Sequence, residues 1–236
     1  MQLKDLKPAS QIAANMGIKS IIYGPPGSAK TPMVLTAPRP VLCAIEPGLK
    51  SIRNSNIPTW EAYTMPKILE FFEWIKKSNE IKNFDTIYID SISQGAEVAL
   101  MDAKTKSRDG RKHYGILSEQ VMEWANDLFY MPQKHIVLLA KEASREKNVF
   151  TVENGIPKQV QVFEKIPYFP GQDLNTKIPH LYDEILYACK TTIPRIGEVR
   201  AIRTRETETI LARDRSGMLD EYEPQDLTAL FNKAMR

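Results

Sequence analysis

Cysteine is scarce: the chain has two, Cys43 and Cys189, each inside an apolar run, VLCAI and LYACK. They read as small buried hydrophobes rather than a disulfide, which suits a reducing compartment. Histidine is scarcer than metal chemistry needs, since His113, His135 and His180 show no ligand spacing. The same scarcity leaves no Ser-His-Asp arrangement to argue from. No apolar run reaches the roughly 18 residues of a membrane span, so no membrane partner is expected. The N-terminal MQLKDLKPAS lacks the long apolar core of a signal peptide. Excess charge is missing as well. With 32 Lys and Arg against 29 Asp and Glu, the net charge is +3, so only a local cluster, not the whole chain, argues for a nucleic-acid partner. There is no internal repeat and no low-complexity linker. The 236 residues are expected to form one domain, with 1–16 as an N-terminal segment available for oligomerisation.

What is present is an alternation. Ile18–Tyr23, Pro40–Glu46, Thr86–Asp90 and His135–Ala140 are short apolar runs rich in β-branched residues and read as buried strands. Between them, Pro66–Asn79, Ile92–Lys106 and Ile116–Tyr130 carry apolar residues at helical spacing. Strands alternating with helices predict an α/β fold, a mostly parallel sheet covered on both faces. Toward the C-terminus Glu184–Lys190, Glu198–Thr204 and Thr209–Arg213 follow one another as strands across short turns, an antiparallel pattern, and Gln225–Met235 reads as a last helix. Residues 142–178, with Gly155, Pro157, Pro167, Pro170 and Gly171, read as a long loop.

The first strand runs into Gly24-Pro25-Pro26-Gly27-Ser28-Ala29-Lys30-Thr31, and a short helix is expected after it, with Pro32 in its first turn. Apart from Ala29, this is the G-x-x-x-x-G-K-[ST] loop whose backbone N–H groups cradle phosphates at a helix N-terminus. Lys30 would reach the β- and γ-phosphates, and the Thr31 hydroxyl would bind Mg²⁺. The alternative is a plain strand–turn–helix corner. Asp90, ending the strand FDTIYID, is the candidate Mg²⁺ carboxylate; as an alternative, Asp90 or Ser91 caps the following helix. Glu46, ending VLCAIE, can polarise an attacking water, or serve only as a turn residue before Pro47-Gly48.

GPPGSAKT, a strand ending in Glu46, then YID is an order that resembles the RecA-type ATPase core. More closely the chain resembles the short RecA-core, AAA-family ATPases of bacteriophages, some of which are single-strand annealing proteins in recombination. The resemblance spans roughly residues 17–230 and includes the E-P-G turn at 46–48, the Y-G pair at 114–115 and RDRSG at 213–217. It implies a RecA-like P-loop core, ATP and Mg²⁺ as cofactors, and Glu46 as catalytic base. It also implies a cytoplasmic protein, in the host cytoplasm if phage-encoded. Ala29 departs from the RecA pattern, although some related AAA-type ATPases carry alanine there. Pro32 replaces a second hydroxyl residue. At the polar position after the fourth strand, commonly glutamine in RecA-type proteins, this chain offers Lys141 and Glu142.

Arg213 and Arg215 lie two apart on a predicted strand and so point to one side. They resemble the cationic pair that RecA-like ATPases extend to the next protomer's γ-phosphate, which implies a ring or filament of copies. The other reading is an exposed basic face. AKTKSRDGRKHYG packs Lys104, Lys106, Arg108, Arg111, Lys112 and His113 beside Tyr114. Cations neutralise phosphates and an aromatic ring stacks on a base, the combination that single-stranded DNA binding needs. In RecA-type folds a DNA-binding loop falls here and a second in the interval matching 142–178, where Lys147, Lys158, Phe163, Lys165, Tyr168 and Phe169 stand among several acids. A solvated charged helix end is the plainer reading of 103–115.

The leading expectation is an oligomeric, Mg²⁺-dependent ATPase that binds single-stranded DNA and promotes annealing or recombination, with a single-strand DNA-binding protein among its partners. Two other classes fit the same loop. One is a small-molecule or nucleoside phosphotransferase, active as a monomer and indifferent to DNA. The other is a nucleotide-gated assembly module with little hydrolysis.

Overall fold

The computed structural model describes residues 6–13, 15–153, 155–193, 195 and 197–236. Eleven strands and six α-helices follow one another among the described residues. The strands are β1 (Lys19–Tyr23), β2 (Pro40–Ala44), β3 (Thr59–Glu61), β4 (Thr86–Asp90), β5 (His135–Ala140), β6 (Glu142–Glu153), β7 (Ile156–Pro167), β8 (Glu184–Ile193), β9 (Gly197–Arg203), β10 (Arg213–Asp214) and β11 (Tyr222–Pro224). The helices are α1 (Ala9–Ala13), α2 (Met65–Lys77), α3 (Ile92–Lys106), α4 (Gly110–Phe129), α5 (Gln172–Leu181) and α6 (Leu227–Ala234).

The main sheet has the order β11-β9-β8-β1-β5-β4-β2-β3, with β10 beside β8. From β3 to β8 every pairing is parallel. The β8–β9, β9–β11 and β8–β10 pairs are antiparallel. This is the α/β, mostly parallel architecture expected, with its antiparallel strands at the C-terminal edge. β1 and β4 are buried along their whole length, because apolar side chains alternate between two covered faces. Ile21, Ile87, Ile89 and Leu138 face α2, α3, α4 and α5. Ile22, Leu42, Tyr88 and Leu139 face α6 and the 3₁₀ segment Thr31–Thr36.

α2 shows why the helical layer holds. Met65, Ile68, Phe71, Phe72 and Ile75 recur at spacings of three and four and are all buried. The Phe72 ring stacks on Trp124 of α4 with centroids 5.1 Å apart. β5 lies between β1 and β4, so the phosphate-loop strand and the Asp90 strand end at the same carboxyl edge of the sheet, separated by a single strand.

Four expectations are corrected. Residues 142–178 are not a loop. β6 and β7 pair over their full length into a ribbon, and α5 follows. The ribbon hides from sequence patterning because its outer half is exposed on both faces and so needs no apolar alternation. The basic segment 103–115 is not a loop either: α3 runs to Lys106, Asp109 caps α4 by accepting from Arg111 N at 3.0 Å, and α4 starts at Gly110 rather than Ile116. Thr209–Arg213 is not a strand. Ile210 makes isolated bridges to Lys165 and Thr207, and regular pairing is confined to Arg213–Asp214. The segment after the phosphate loop is helical, but 3₁₀. α1 buries none of its residues; residues 1–5 and 14 of the expected oligomerisation segment lie outside the described residues.

Candidate nucleotide site

The loop from Gly24 to Thr31 leaves β1 at the carboxyl edge of the sheet. Gly24 has φ +153°, and a Cβ there would stand 2.3 Å from the carbonyl oxygen of Ala188, so only glycine fits. Gly27 at φ +80° and Ala29 at φ +64° both take left-handed backbone. Ala29 thus adopts a shape that glycine adopts without strain, and a methyl group is small enough to be tolerated at modest cost. The loop is braced from three sides. Ser28 Oγ donates to Pro25 O at 2.8 Å, Tyr88 OH to Lys30 O at 2.7 Å, and Gln225 Nε2 to Ser28 O at 2.8 Å.

Two observations fit a bound polyphosphate. The N–H groups of Gly27, Ala29 and Lys30 have no acceptor among the described residues, so three donors of the loop are open to a ligand. The ammonium of Lys30 donates to the loop's own carbonyls, Gly24 O at 2.7 Å and Pro25 O at 3.1 Å. Carbonyls are weaker partners than phosphate oxygens for a cation. Burial lowers the pKa of Lys30, while Asp90, Glu142 and Glu46, in that order of effect, oppose the shift.

Thr31 Oγ1 donates to Asp90 Oδ2 at 2.6 Å. Burial pushes the Asp90 carboxyl up to about 6; the Thr31 hydroxyl and Lys30 work against that shift, and Glu46 adds to it. Ser91, not Asp90, caps α3 by accepting from Gln94 N at 3.3 Å, which leaves Asp90 free for Thr31. No group of three or more His, Cys, Asp or Glu is placed to hold a metal ion among the described residues. One hydroxyl and one carboxylate suit Mg²⁺, which completes its octahedron with water and phosphate oxygens. Glu46 is half-buried just past β2, close enough to both Asp90 and Lys30 to act on each through charge.

Other expected residues lie elsewhere. Arg213 and Arg215 do share a side, but β10 pairs with the first residues of β8, at the sheet edge opposite the phosphate loop. The Arg213 guanidinium donates to Pro179 O at 2.7 Å and to Tyr182 O; Arg215 pairs with Asp183 at 2.9 Å. Lys104, Lys106, Arg108, Arg111, Lys112 and Tyr114 gather around the α3–α4 corner and are exposed or half-exposed. Lys106 pairs with Asp102 at 2.6 Å, whereas Lys104, Arg108, Arg111 and Lys112 form no ion pair among the described residues. Tyr114 lies against Gly171, where an added Cβ would stand 3.3 Å from the ring. Sequence reasoning did not reach Tyr88 and Gln225, because they meet the loop only through the fold, nor did it bring Glu142, Lys165 and Tyr187 together.

A strand–loop–helix with open N–H donors, a lysine and a Thr–Asp pair defines a nucleotide-binding P-loop domain of ATPase type. The chain belongs to the AAA domain family, which matches it over residues 16–216. No curated protein matches it. Solved structures similar to it include a KaiC-like protein from the hyperthermophilic archaeon Pyrococcus horikoshii, 12% identical with a TM-score of 0.46 over 82% of this chain and 81% of that one. The flagellar accessory protein FlaH from Methanocaldococcus jannaschii is 10% identical, with a TM-score of 0.39 over 80% and 78%.

Proposed function

We propose that the protein is a Mg²⁺-dependent ATPase that binds single-stranded DNA and acts as an oligomer in annealing or recombination. The observation that carries the hydrolytic part is the Thr31–Asp90 contact at 2.6 Å beside Lys30 and the open N–H donors. In this reading Gly27, Ala29 and Lys30 hold the phosphates by their N–H groups. The Lys30 ammonium moves from the loop carbonyls to the β- and γ-oxygens. Thr31 and Asp90 would hold Mg²⁺, which supplies charge neutralisation between the phosphates. Glu46 accepts a hydrogen of the attacking water.

Support for DNA is local. Four cations without ion pairs among the described residues stand on the α3–α4 corner beside an exposed tyrosine, in a chain whose overall charge is near balance. Phosphate contacts of this kind bind without sequence preference and weaken with salt. Arg215, exposed at the opposite sheet edge, is the group that a neighbouring copy would receive at its phosphate loop; Asp183 holds it in the single chain.

The test is steady-state ATP hydrolysis with and without single-stranded DNA, with Lys30→Ala as the blank. Stimulation by single strands that is lost in the blank supports the reading. Hydrolysis indifferent to DNA removes the DNA half. Phosphoryl transfer only on addition of a small acceptor replaces the reading with a phosphotransferase.

A further inference from the structure

Gln225 stands in the corner between β11 and α6, and both sides of that corner are fixed. Pro224, just before it, is the register partner of Ala201 on β9. Just after it, Asp226 caps α6 by accepting from Ala229 N at 3.0 Å. α6 then grips the end of the 3₁₀ segment: Leu227 N donates to Thr36 Oγ1 at 2.9 Å, and Thr228 Oγ1 donates to Thr36 O at 2.6 Å. From this corner the half-buried Gln225 side chain reaches the phosphate loop. Its Nε2 donates to Ser28 O at 2.8 Å, with Ala201 O a second acceptor at 3.5 Å. Both neighbours are carbonyl oxygens, so the nitrogen end of the amide must face them.

The carbonyl of Ser28 and the N–H of Ala29 belong to one peptide unit, which is trans, so the two groups point in opposite directions. Pinning Ser28 O toward Gln225 therefore turns the Ala29 N–H away from it, and this N–H is one of those open to a ligand. The pin has a strain to oppose. Ala29 is held at φ +64°, and rotating the Ser28–Ala29 peptide by half a turn would return it to the negative φ that alanine prefers. The same rotation would put a carbonyl oxygen where the N–H had been, and a carbonyl repels phosphate. Gln225 is the single donor to Ser28 O among the described residues. The carbonyl of Lys30 has two, Tyr88 OH at 2.7 Å and Met33 N at 3.1 Å. The direction of the Ser28–Ala29 peptide thus rests on one side chain.

We propose that Gln225 is a positioning residue of the nucleotide site: its amide holds the Ser28–Ala29 peptide in the direction that presents the Ala29 N–H to a phosphate oxygen of ATP. The inference rests on the nucleotide-binding reading of the Gly24–Thr31 loop. It makes the β11–α6 corner part of the site, acting through the peptide rather than by contact with the nucleotide. It also accounts for alanine at a place where the loop's pattern asks for glycine. The strain that glycine would avoid is offset by a hydrogen bond from a side chain 197 residues further along the chain.

The experiment measures equilibrium Mg²⁺–ATP binding and ATP turnover in the wild type, Gln225→Met and Gln225→Glu, each with and without Ala29→Gly. Both Gln225 substitutions keep the length of the side chain and remove the donor. Alone, each should raise the Kd for ATP by about three- to tenfold, the worth of one hydrogen bond. Turnover at saturating ATP should stay within about threefold of wild type. With Ala29→Gly added, the loss of affinity should shrink below about twofold, because glycine holds a positive φ without strain. A packing defect would not be rescued in this way. Thr228→Val removes a contact of α6 with Thr36 and leaves Gln225 in place. It should lower the thermal midpoint and keep the Kd within about twofold of wild type. Where Gln225→Glu lowers the yield of folded protein, Gln225→Met alone carries the comparison. Wild-type affinity in the Gln225 variants, an equal loss with and without Ala29→Gly, or a Thr228→Val protein as impaired as Gln225→Met overturns the inference and leaves the nucleotide reading intact. A wild-type protein that binds no ATP overturns both.

Discussion

Ala29 is the residue at which the phosphate loop departs from its pattern, and its backbone shows what the departure costs. At φ +64° it holds a left-handed conformation that an L-residue adopts at about 1–2 kcal/mol, part of which glycine returns as unfolded-chain entropy. Ala29→Gly should therefore stabilise the fold by about 0.5–1 kcal/mol in denaturant titrations, with ATP binding unimpaired. Gly24 is the opposite case. Any Cβ there would stand 2.3 Å from Ala188 O, so Gly24→Ala must displace either β8 or the loop. It should abolish nucleotide binding and lower the thermal midpoint together. The Thr31–Asp90 pair predicts a pH limit. Asp90 titrates near 6 and a metal needs its ionised form, so Mg²⁺-dependent ATP affinity should fall as pH drops through 6. Asp90→Asn should be weak at every pH.

The elements divide by how their chemistry was written in the sequence. β1, β2, β4 and β5 were legible because strands buried on both faces must be apolar throughout. The phosphate loop was legible because Gly24, Lys30 and Thr31 each answer a local demand. The β6–β7 ribbon was not, since Phe150, Val152 and Phe163 are exposed beside Glu, Lys and Gln and no burial pattern marks them. The cluster of Glu142, Lys165 and Tyr187 was out of reach for another reason: three strands bring it together. The opposite edge of the sheet carries two buried charges with no functional assignment. Burial and Asp214 push Glu184 up to about 8, and burial lowers Lys19 to about 8. The raised carboxyl contributes stability that is complete below about 4.5 and is lost as pH rises through 8. The lowered amine contributes stability that is complete above about 10.5 and is lost as pH falls toward 8. The thermal midpoint should therefore pass through a minimum near pH 8. Glu184→Gln should remove the decline on its acidic side, and a flat profile in the wild type would contradict both assignments.

For the whole molecule, the nucleotide site, the basic corner and Arg215 lie on different parts of one chain, so nucleotide chemistry, DNA binding and assembly can be tested separately. Charge reversal at Arg108 and Arg111 should weaken single-strand binding and flatten its salt dependence by roughly one phosphate contact each, while ATP turnover without DNA stays at the wild-type rate. The proposed DNA coupling and assembly would both depend on Gly24–Thr31 and Asp90 forming a Mg²⁺–nucleotide site. Calorimetric titration of ATP probes that site directly, with Mg²⁺ and with a chelator, in the wild type and in Lys30→Ala. Saturable 1:1 binding that needs Mg²⁺ and disappears in Lys30→Ala is the expected outcome. Binding of equal strength in the variant, or none in the wild type, would show that Gly24–Thr31 is not a nucleotide site.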